Sequence, residues 1–292
     1  MLFLWISILT STLLVVILKL FPRYNINTFV AIVTNYLVCC SMGFYFVPQN
    51  VEWQHPSFGY NWLYVAIGMG FSFIALFNLM GYISQELGLT AVSVSNKLSL
   101  IIPVGLAFFI YGDSITTIKL LGLFLAIPAV LLTTWHDGEG EHKWSVKNII
   151  LFALLFLGSG LNDTLVKYTQ DKWMTESQFP LFTAFVFGMA FIAGVAISIY
   201  LLIVGKFNFS WRSVLAGVAL GVPNYFSIYA LLKALAVPGW ESSTLFTINN
   251  VGILLASALG GVLLFKERLS IKNIIGILVA CFSILLLAGN LF

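Results

Sequence analysis

Residues 179–205 read FPLFTAFVFGMAFIAGVAISIYLLIVG, without a single Asp, Glu, Lys, Arg or His. A bilayer core about 30 Å thick is crossed by about 20 helical residues. Backbone donors and acceptors in lipid have no water to bind, so a helix must satisfy them within the segment. The run is long enough, and it is apolar all round rather than alternating as a barrel strand would be. It reads as a membrane-crossing helix.

Working outward, nine further runs have the same character: Met1 to Leu18, Asn27 to Pro48, Gly59 to Gln85, Leu89 to Gly112, Leu120 to Trp135, Asn148 to Val166, Ser213 to Leu232, Ser242 to Phe265 and Asn273 to Phe292. Charge interrupts the ten runs only at Lys97 and Asp163. The fifth run is short, and its span is expected to begin nearer Ile115, with Lys119 snorkelling to the interface. Trp5, Trp53, Trp62, Trp135, Trp144, Trp173, Trp211 and Trp240 fall mainly near run ends, where interfacial anchoring places tryptophan.

Composition agrees. The chain is 60% hydrophobic and 9% charged, against roughly 25% charged in a soluble domain. Its 14 Lys and Arg and 11 Asp and Glu cannot clothe a water-facing surface of 292 residues. The net charge of +3 is scattered, which gives neither a nucleic-acid footprint nor a polybasic anchor. Cys39, Cys40 and Cys281 lie in apolar runs without metal-ligand spacing and read as packing residues. His55, His136 and His142 fall in hydrophilic connections as solvated loop residues. No metal or cofactor is expected. The first run begins at Met1 with no basic residue ahead of it, an order unlike a cleaved signal peptide.

The stretch His136 to Lys147, with Asp137, Glu139, Glu141 and Lys143, reads as a hydrophilic linker (136–147) between a first half, 1–135, and a second, 148–292. Sliding the chain on itself supports that division. At a shift of 148, Ser11 meets Ser159 and Lys19 meets Lys167. Near 151, Gly70 meets Gly221 and Gly88 meets Gly239. At 154, Asn96 meets Asn250 and Gly122 meets Gly276. Five spans per half is an odd number, so the second half enters the membrane from the opposite side. The expected fold is therefore an all-α membrane protein of ten transmembrane helices in two inverted five-helix repeats around a central pocket.

Lys266 to Leu287, KERLSIKNIIGILVACFSILLL, resembles the turn and last helix of the drug/metabolite transporter superfamily, specifically its EamA-like ten-helix members. Glu267, Leu269, Ser270 and Gly276 stand at matching places. Gly112 to Thr134 echoes that segment with Asp113 and Gly122. Ser11 and Lys19, then Gly158, Ser159 and Lys167, resemble the opening helix of each half, and Pro103 fits the fourth helix. The ninth helix departs from the family in Asn249, Asn250, Val251 and Gly252, and the first lacks the Trp-Gly start. The resemblance implies a basket formed by spans 1 to 4 and 6 to 9, with spans 5 and 10 packing behind.

Polar groups inside hydrocarbon are expensive and mark candidate sites. Lys97, beside Asn96 and one turn after Ser93, reads as a positive charge for a carboxylate-bearing substrate or a proton, as half of an ion pair with Asp163, or as a snorkelling lysine. Asp163, next to Asn162, is either a site residue or the local partner of Lys167. Asn224, Tyr225 and Tyr229 follow Pro223 on span 8, where a helix bend often adjoins a ligand. Helix–helix hydrogen bonding is the competing role there. Asn249 and Asn250 mirror Asn96 across the repeat. Asn35, Tyr36 and Asn78 are weaker candidates, and Gly68, Gly70, Gly217 and Gly221 read as sites of close helix approach.

Alternate loops carry nine basic residues on one side and four on the other. The positive-inside rule then puts both termini outside, whereas the family resemblance puts them inside; both place them on one side. The expected activity is secondary transport, as an exporter of small metabolites such as amino acids, by alternating access in a bacterial plasma (inner) membrane. Proton coupling would rest on Asp163 and Lys97. A membrane scaffold or receptor is the alternative. An intramembrane enzyme would need clustered catalytic groups that the spans lack.

Overall fold

The computed structural model describes residues 1–49, 60–112, 116–133, 146–266 and 270–288, without the side chains of 81, 84–94, 133, 287 and 288. Among the described residues ten α-helices follow one another: α1 (Leu2–Leu20), α2 (Thr28–Tyr45), α3 (Asn61–Leu98), α4 (Ile101–Ile110), α5 (Thr117–Thr133), α6 (Val146–Trp173), α7 (Phe179–Ile203), α8 (Trp211–Leu235), α9 (Ser242–Phe265) and α10 (Ile271–Ala288). Among the described residues there is no strand. Seven stretches of the described residues have the length and composition to cross a bilayer, within α1, α2, α3 (61–80), α6, α7, α8 and α9. Residues 95–110, 117–132 and 271–286 form shorter apolar helices. These are the elements of an all-helical, multi-pass membrane protein. The Lys266 to Leu269 turn beyond its first residue, Asp113, Trp53, Trp135, Trp144, the three histidines and the linker up to residue 145 lie outside the described residues, as does the Ser93 side chain.

Local chemistry sets the helix ends. The Asn27 side chain accepts hydrogen bonds from the amides of Phe29 and Val30 and so caps α2. Pro180 occupies the first turn of α7, where its missing N–H costs nothing. At the other end of α7, Gly205 takes the left-handed conformation that stops the helix.

The helices divide into two compact units, one of residues 1–75 and 166–236 and the other of 76–165 and 237–292. In the first, α2 packs on α7 and α8, and α1 packs on α8. Small residues set these crossings. A Cβ added to Gly43 would lie 2.7 Å from the Cβ of Ala184, and one added to Gly194 would lie 2.8 Å from Val33 Cγ2. The contact is reciprocal: at the shift of 151, Gly194 is the counterpart of Gly43, and Ala184 of Val33. The same holds one crossing away. A Cβ on Gly70 would meet Met189 Cβ at 2.5 Å and the Val186 carbonyl oxygen at 2.7 Å; one on Gly221 would meet Val38 Cβ at 2.5 Å and the Asn35 oxygen at 3.1 Å. Those are again counterparts at 151. Gly68 has nothing within 4 Å of its added Cβ and makes no close approach, contrary to its reading from the sequence. Gly217 does: a Cβ added to it would run into the Ala31 carbonyl oxygen.

In the second unit α5 packs along α10, and α9 contacts α4, α5 and α10. Ala126 and Ala280, counterparts at the shift of 154, are both fully buried in one apolar cluster with Ala129 and Val251. Polar bonds tie the same pair of helices: Ser283 Oγ donates to the Gly122 carbonyl at 2.6 Å, and Asn273 Nδ2 to the Leu132 carbonyl at 3.1 Å.

α3 is assigned 38 residues, although the sequence predicts two spans there. A straight helix would hold residues 16 apart about 24 Å from each other. Asn96 Nδ2 nevertheless lies 3.6 Å from Met80 Sδ. α6 reports the same reversal. Leu155 packs at Ile83 and Gly158 at Leu76, so the partner number falls along α6. Phe152 bonds Ser95 and Gly160 meets Ser99 and Ile102, so there it rises. The chain therefore doubles back between residues 83 and 95.

Three expectations are corrected. Lys119 does not snorkel; it is 5% exposed and ion-paired with Glu241, 122 positions away and invisible to a local reading. Trp62 is no interfacial anchor but fully buried, edge-on to Phe182 and Phe185. Lys167 turns away from Asp163. Its ammonium donates to Gln170 Oε1 at 2.9 Å and to the Leu235 carbonyl at 3.2 Å, with Asp171 at 3.9 Å.

Candidate functional site

Two polar clusters are built, one in each unit. In the first unit α2 contributes Asn35, Tyr36 and Cys39, and α8 contributes Asn224, Tyr225 and Tyr229. Asn224 Nδ2 donates to Asn35 Oδ1 at 3.1 Å. The Cys39 thiol points at Asn35 Oδ1 (3.6 Å) and the Gly221 carbonyl (3.3 Å). Gly221 makes this possible, since its missing Cβ lets α8 close onto α2 at this level. The Tyr225 ring is stacked between Phe46 (5.6 Å) and Tyr229 (5.7 Å). Its hydroxyl is buried without a hydrogen-bond partner. Tyr36 is buried and stacks on Phe187 at 5.7 Å.

Tyr229 leads outward along α8 to Lys233, whose ammonium lies 6.0 Å from the Tyr229 ring centre and 5.9 Å from that of Phe179. It is also 2.6 Å from Glu176 Oε2. An exposed pair of this kind contributes at most about 1 kcal/mol.

The second unit gathers Asn96, Lys97, Ser159 and Asp163 where the end of α3 meets α6. Ser159 Oγ donates to Asn96 Oδ1 at 2.7 Å. Lys97 and Asp163 are half-buried and close enough for their charges to interact. Neither makes a hydrogen bond or a direct ion pair with any described residue. Opposite charges in a low-dielectric setting attract strongly, so a separated pair is a place for a bridging group.

On α9, Asn249 is buried with its Oδ1 unpartnered, while the Asn250 amide donates to the Phe246 carbonyl of its own helix at 3.1 Å. Asn250 is thus not bonded like its counterpart Asn96. Asn162 is buried on α6 and Asn78 exposed on α3. Ser159 joins this cluster through its bond to Asn96, and the sequence reading left it out of the candidates, although its spacing of four from Asp163 puts both on one helix face. No group of three metal-ligating side chains occurs among the described residues.

No protein-family profile matches the chain. A Haemophilus influenzae protein, described only as uncharacterized, is 24% identical over 277 residues, covering 93% of this chain and 92% of that one. A solved crystal structure, of a protein given no further description, superposes with a TM-score of 0.76 over 99% of this chain and 97% of its own, at 12% identity. At that identity the likeness is one of fold, and it extends along the whole length.

Proposed function

We infer that the chain is a small-molecule carrier of ten spans in two inverted halves, an exporter working by alternating access in a bacterial plasma membrane. The observation that carries this reading is the reciprocity of the helix crossings: Gly43 receives Ala184 as Gly194 receives Val33, and Gly70 receives α7 as Gly221 receives α2. Reciprocal contacts between counterparts are what a two-fold relation produces. Inverted repeats give carriers two equivalent states, one open to each face. The reversal within α3 supplies the fourth span.

The polar contacts between connections also respect the predicted sides. Asn27 bonds Asn208 and Ser213 on one side, and Lys233 bonds Glu176 on the other. The EamA-like resemblance, with small metabolites such as amino acids as cargo, belongs to this proposal. So does a role for Lys97 and Asp163 in binding charge or moving a proton.

Reconstitution tests it. Purified protein in liposomes should move members of a labelled metabolite panel, and Lys97→Met or Asp163→Asn should abolish that flux while leaving a folded protein. A panel that fails to move, with buried-polar variants that alter only folding, would favour the scaffold or receptor instead.

A further inference from the structure

The two ends of the first unit treat their positive charges differently. At the end where α7 begins and α8 finishes, each lysine faces a carboxylate. Lys167 and Lys172 lie 3.9 Å and 3.2 Å from Asp171, and Lys233 lies 2.6 Å from Glu176. At the other end α1 leads into α2 and α7 into α8, and the basic residues there are Lys19, Arg23, Lys206 and Arg212. Neither 1–49 nor 179–240 contains an Asp or a Glu. Arg23, Lys206 and Arg212 are exposed and make no hydrogen bond or ion pair with any described residue.

These residues belong to two connections that are fastened together. The Asn27 side chain donates to the Asn208 carbonyl at 2.9 Å, and the Asn27 backbone N–H donates to Ser213 Oγ at 2.8 Å. Arg23 lies four residues before Asn27, while Lys206 and Arg212 flank the Asn208 to Ser213 segment. One ledge therefore presents three cations that the protein itself does not neutralise. The same ledge exposes Tyr24, Phe209 and Trp211, and aromatic residues at the ends of membrane helices mark the head-group layer. The negative charge available in that layer is lipid phosphate, which guanidinium groups bind through paired hydrogen bonds. Leu202 and Ile203, exposed at the end of α7, offer apolar surface beside it.

We infer that Arg23, Lys206 and Arg212 form a docking surface for an anionic phospholipid, whose phosphate is held by these cations and whose acyl chains lie along the end of α7. The head group must carry net negative charge, because the ammonium of a zwitterionic lipid would meet the same three cations. The inference goes beyond the carrier reading and is independent of transport.

The test measures binding of radiolabelled phosphatidylglycerol to the purified full-length protein in a neutral detergent. Unlabelled phosphatidylglycerol, phosphatidylcholine and inorganic phosphate serve as competitors. Phosphatidylglycerol should displace the label, phosphatidylcholine should do so at least tenfold less well, and phosphate should not displace it. A basic residue near an anionic lipid surface contributes about fivefold in affinity. Arg23→Gln and Arg212→Gln should therefore each lose about fivefold, and the triple variant with Lys206→Gln on the order of a hundredfold. Lys172→Gln, at the opposite end, should bind as the wild type does. Equal displacement by phosphatidylcholine overturns the proposal, and displacement by phosphate makes the ledge a free-anion site instead. Unchanged binding by the arginine variants, or an equal loss in Lys172→Gln, also overturns it. The single variants carry the test should the triple variant fail to fold, and the competition order on the wild type needs no variant.

Discussion

Gly68 and Gly70 lie two residues apart on α3 and should respond oppositely to the same substitution. At Gly68 an added methyl meets nothing within 4 Å, so Gly68→Ala gains helix propensity, about 1 kcal/mol. At Gly70 the methyl would lie 2.5 Å from Met189 Cβ and 2.7 Å from the Val186 carbonyl oxygen. Neither atom is the free end of a flexible side chain, so α3 and α7 must separate. Overpacking of that kind costs about 1–3 kcal/mol. Taking the upper end and subtracting the propensity gain leaves Gly70→Ala destabilised by about 2 kcal/mol, some 3 kcal/mol below Gly68→Ala. Thermal unfolding in detergent, followed by tryptophan fluorescence, should show Gly70→Ala falling by about 4–8 °C and Gly68→Ala rising by about 2–4 °C. Gly221→Ala should fall with Gly70→Ala, since its contacts are counterparts. Equal shifts for Gly68 and Gly70, or a Gly221→Ala change as mild as that at Gly68, would refute the reasoning.

Glu241→Gln removes the carboxylate charge paired with the ammonium of Lys119, which is 5% exposed. Breaking a buried pair costs about 3–5 kcal/mol; Glu241 is 32% exposed, so the lower end is expected, and thermal unfolding should rank this variant below Lys119→Met. Lys167→Met removes bonds to Gln170 and the Leu235 carbonyl and should cost about 1–3 kcal/mol by the same assay. Asp163→Asn should leave Lys167 bonded as before, because the two do not pair, and should abolish flux in liposomes without lowering the unfolding temperature by more than a few degrees. Phe73→Ala removes the half-buried ring 5.9 Å from that of Phe187 and should destabilise the protein by about 1–3 kcal/mol in the same thermal unfolding assay.

The helices were legible because lipid imposes one solution on the backbone: every run that lacked charge for about 20 residues became helix. The α3–α4 region shows the limit. Gln85 to Leu89 offered the only polar break, and the approach of Asn96 to Met80 puts the reversal of the chain in that region. Partners distant in sequence were not legible. Lys119 read as an interfacial lysine because Glu241 lies 122 positions away, and one of the two readings of Asp163 paired it with Lys167, whereas Asp171, also four positions from Lys167, is the carboxylate that lies 3.9 Å from it. Gly68 and Gly70 were indistinguishable until α7 was in place, since a glycine acquires its role from what approaches it. Gly70 and Gly221, matched at the shift of 151, both stand where another helix comes close, Gly70 against Met189 and Val186 and Gly221 against Val38 and Asn35. Among candidate residues, polar type was enough to find Asn35, Asn96, Lys97 and Asp163.

The inversion of the two halves is tested most directly by labelling counterpart positions from the two sides of the membrane. Tyr24 precedes α2 and Thr175 precedes α7, both exposed and related by the shift of 151. In a background with Cys39, Cys40 and Cys281 replaced, Tyr24→Cys and Thr175→Cys are treated with a membrane-impermeant thiol reagent in oriented vesicles. The account predicts that the two cysteines react from opposite faces. Reaction of both from the same face would contradict it.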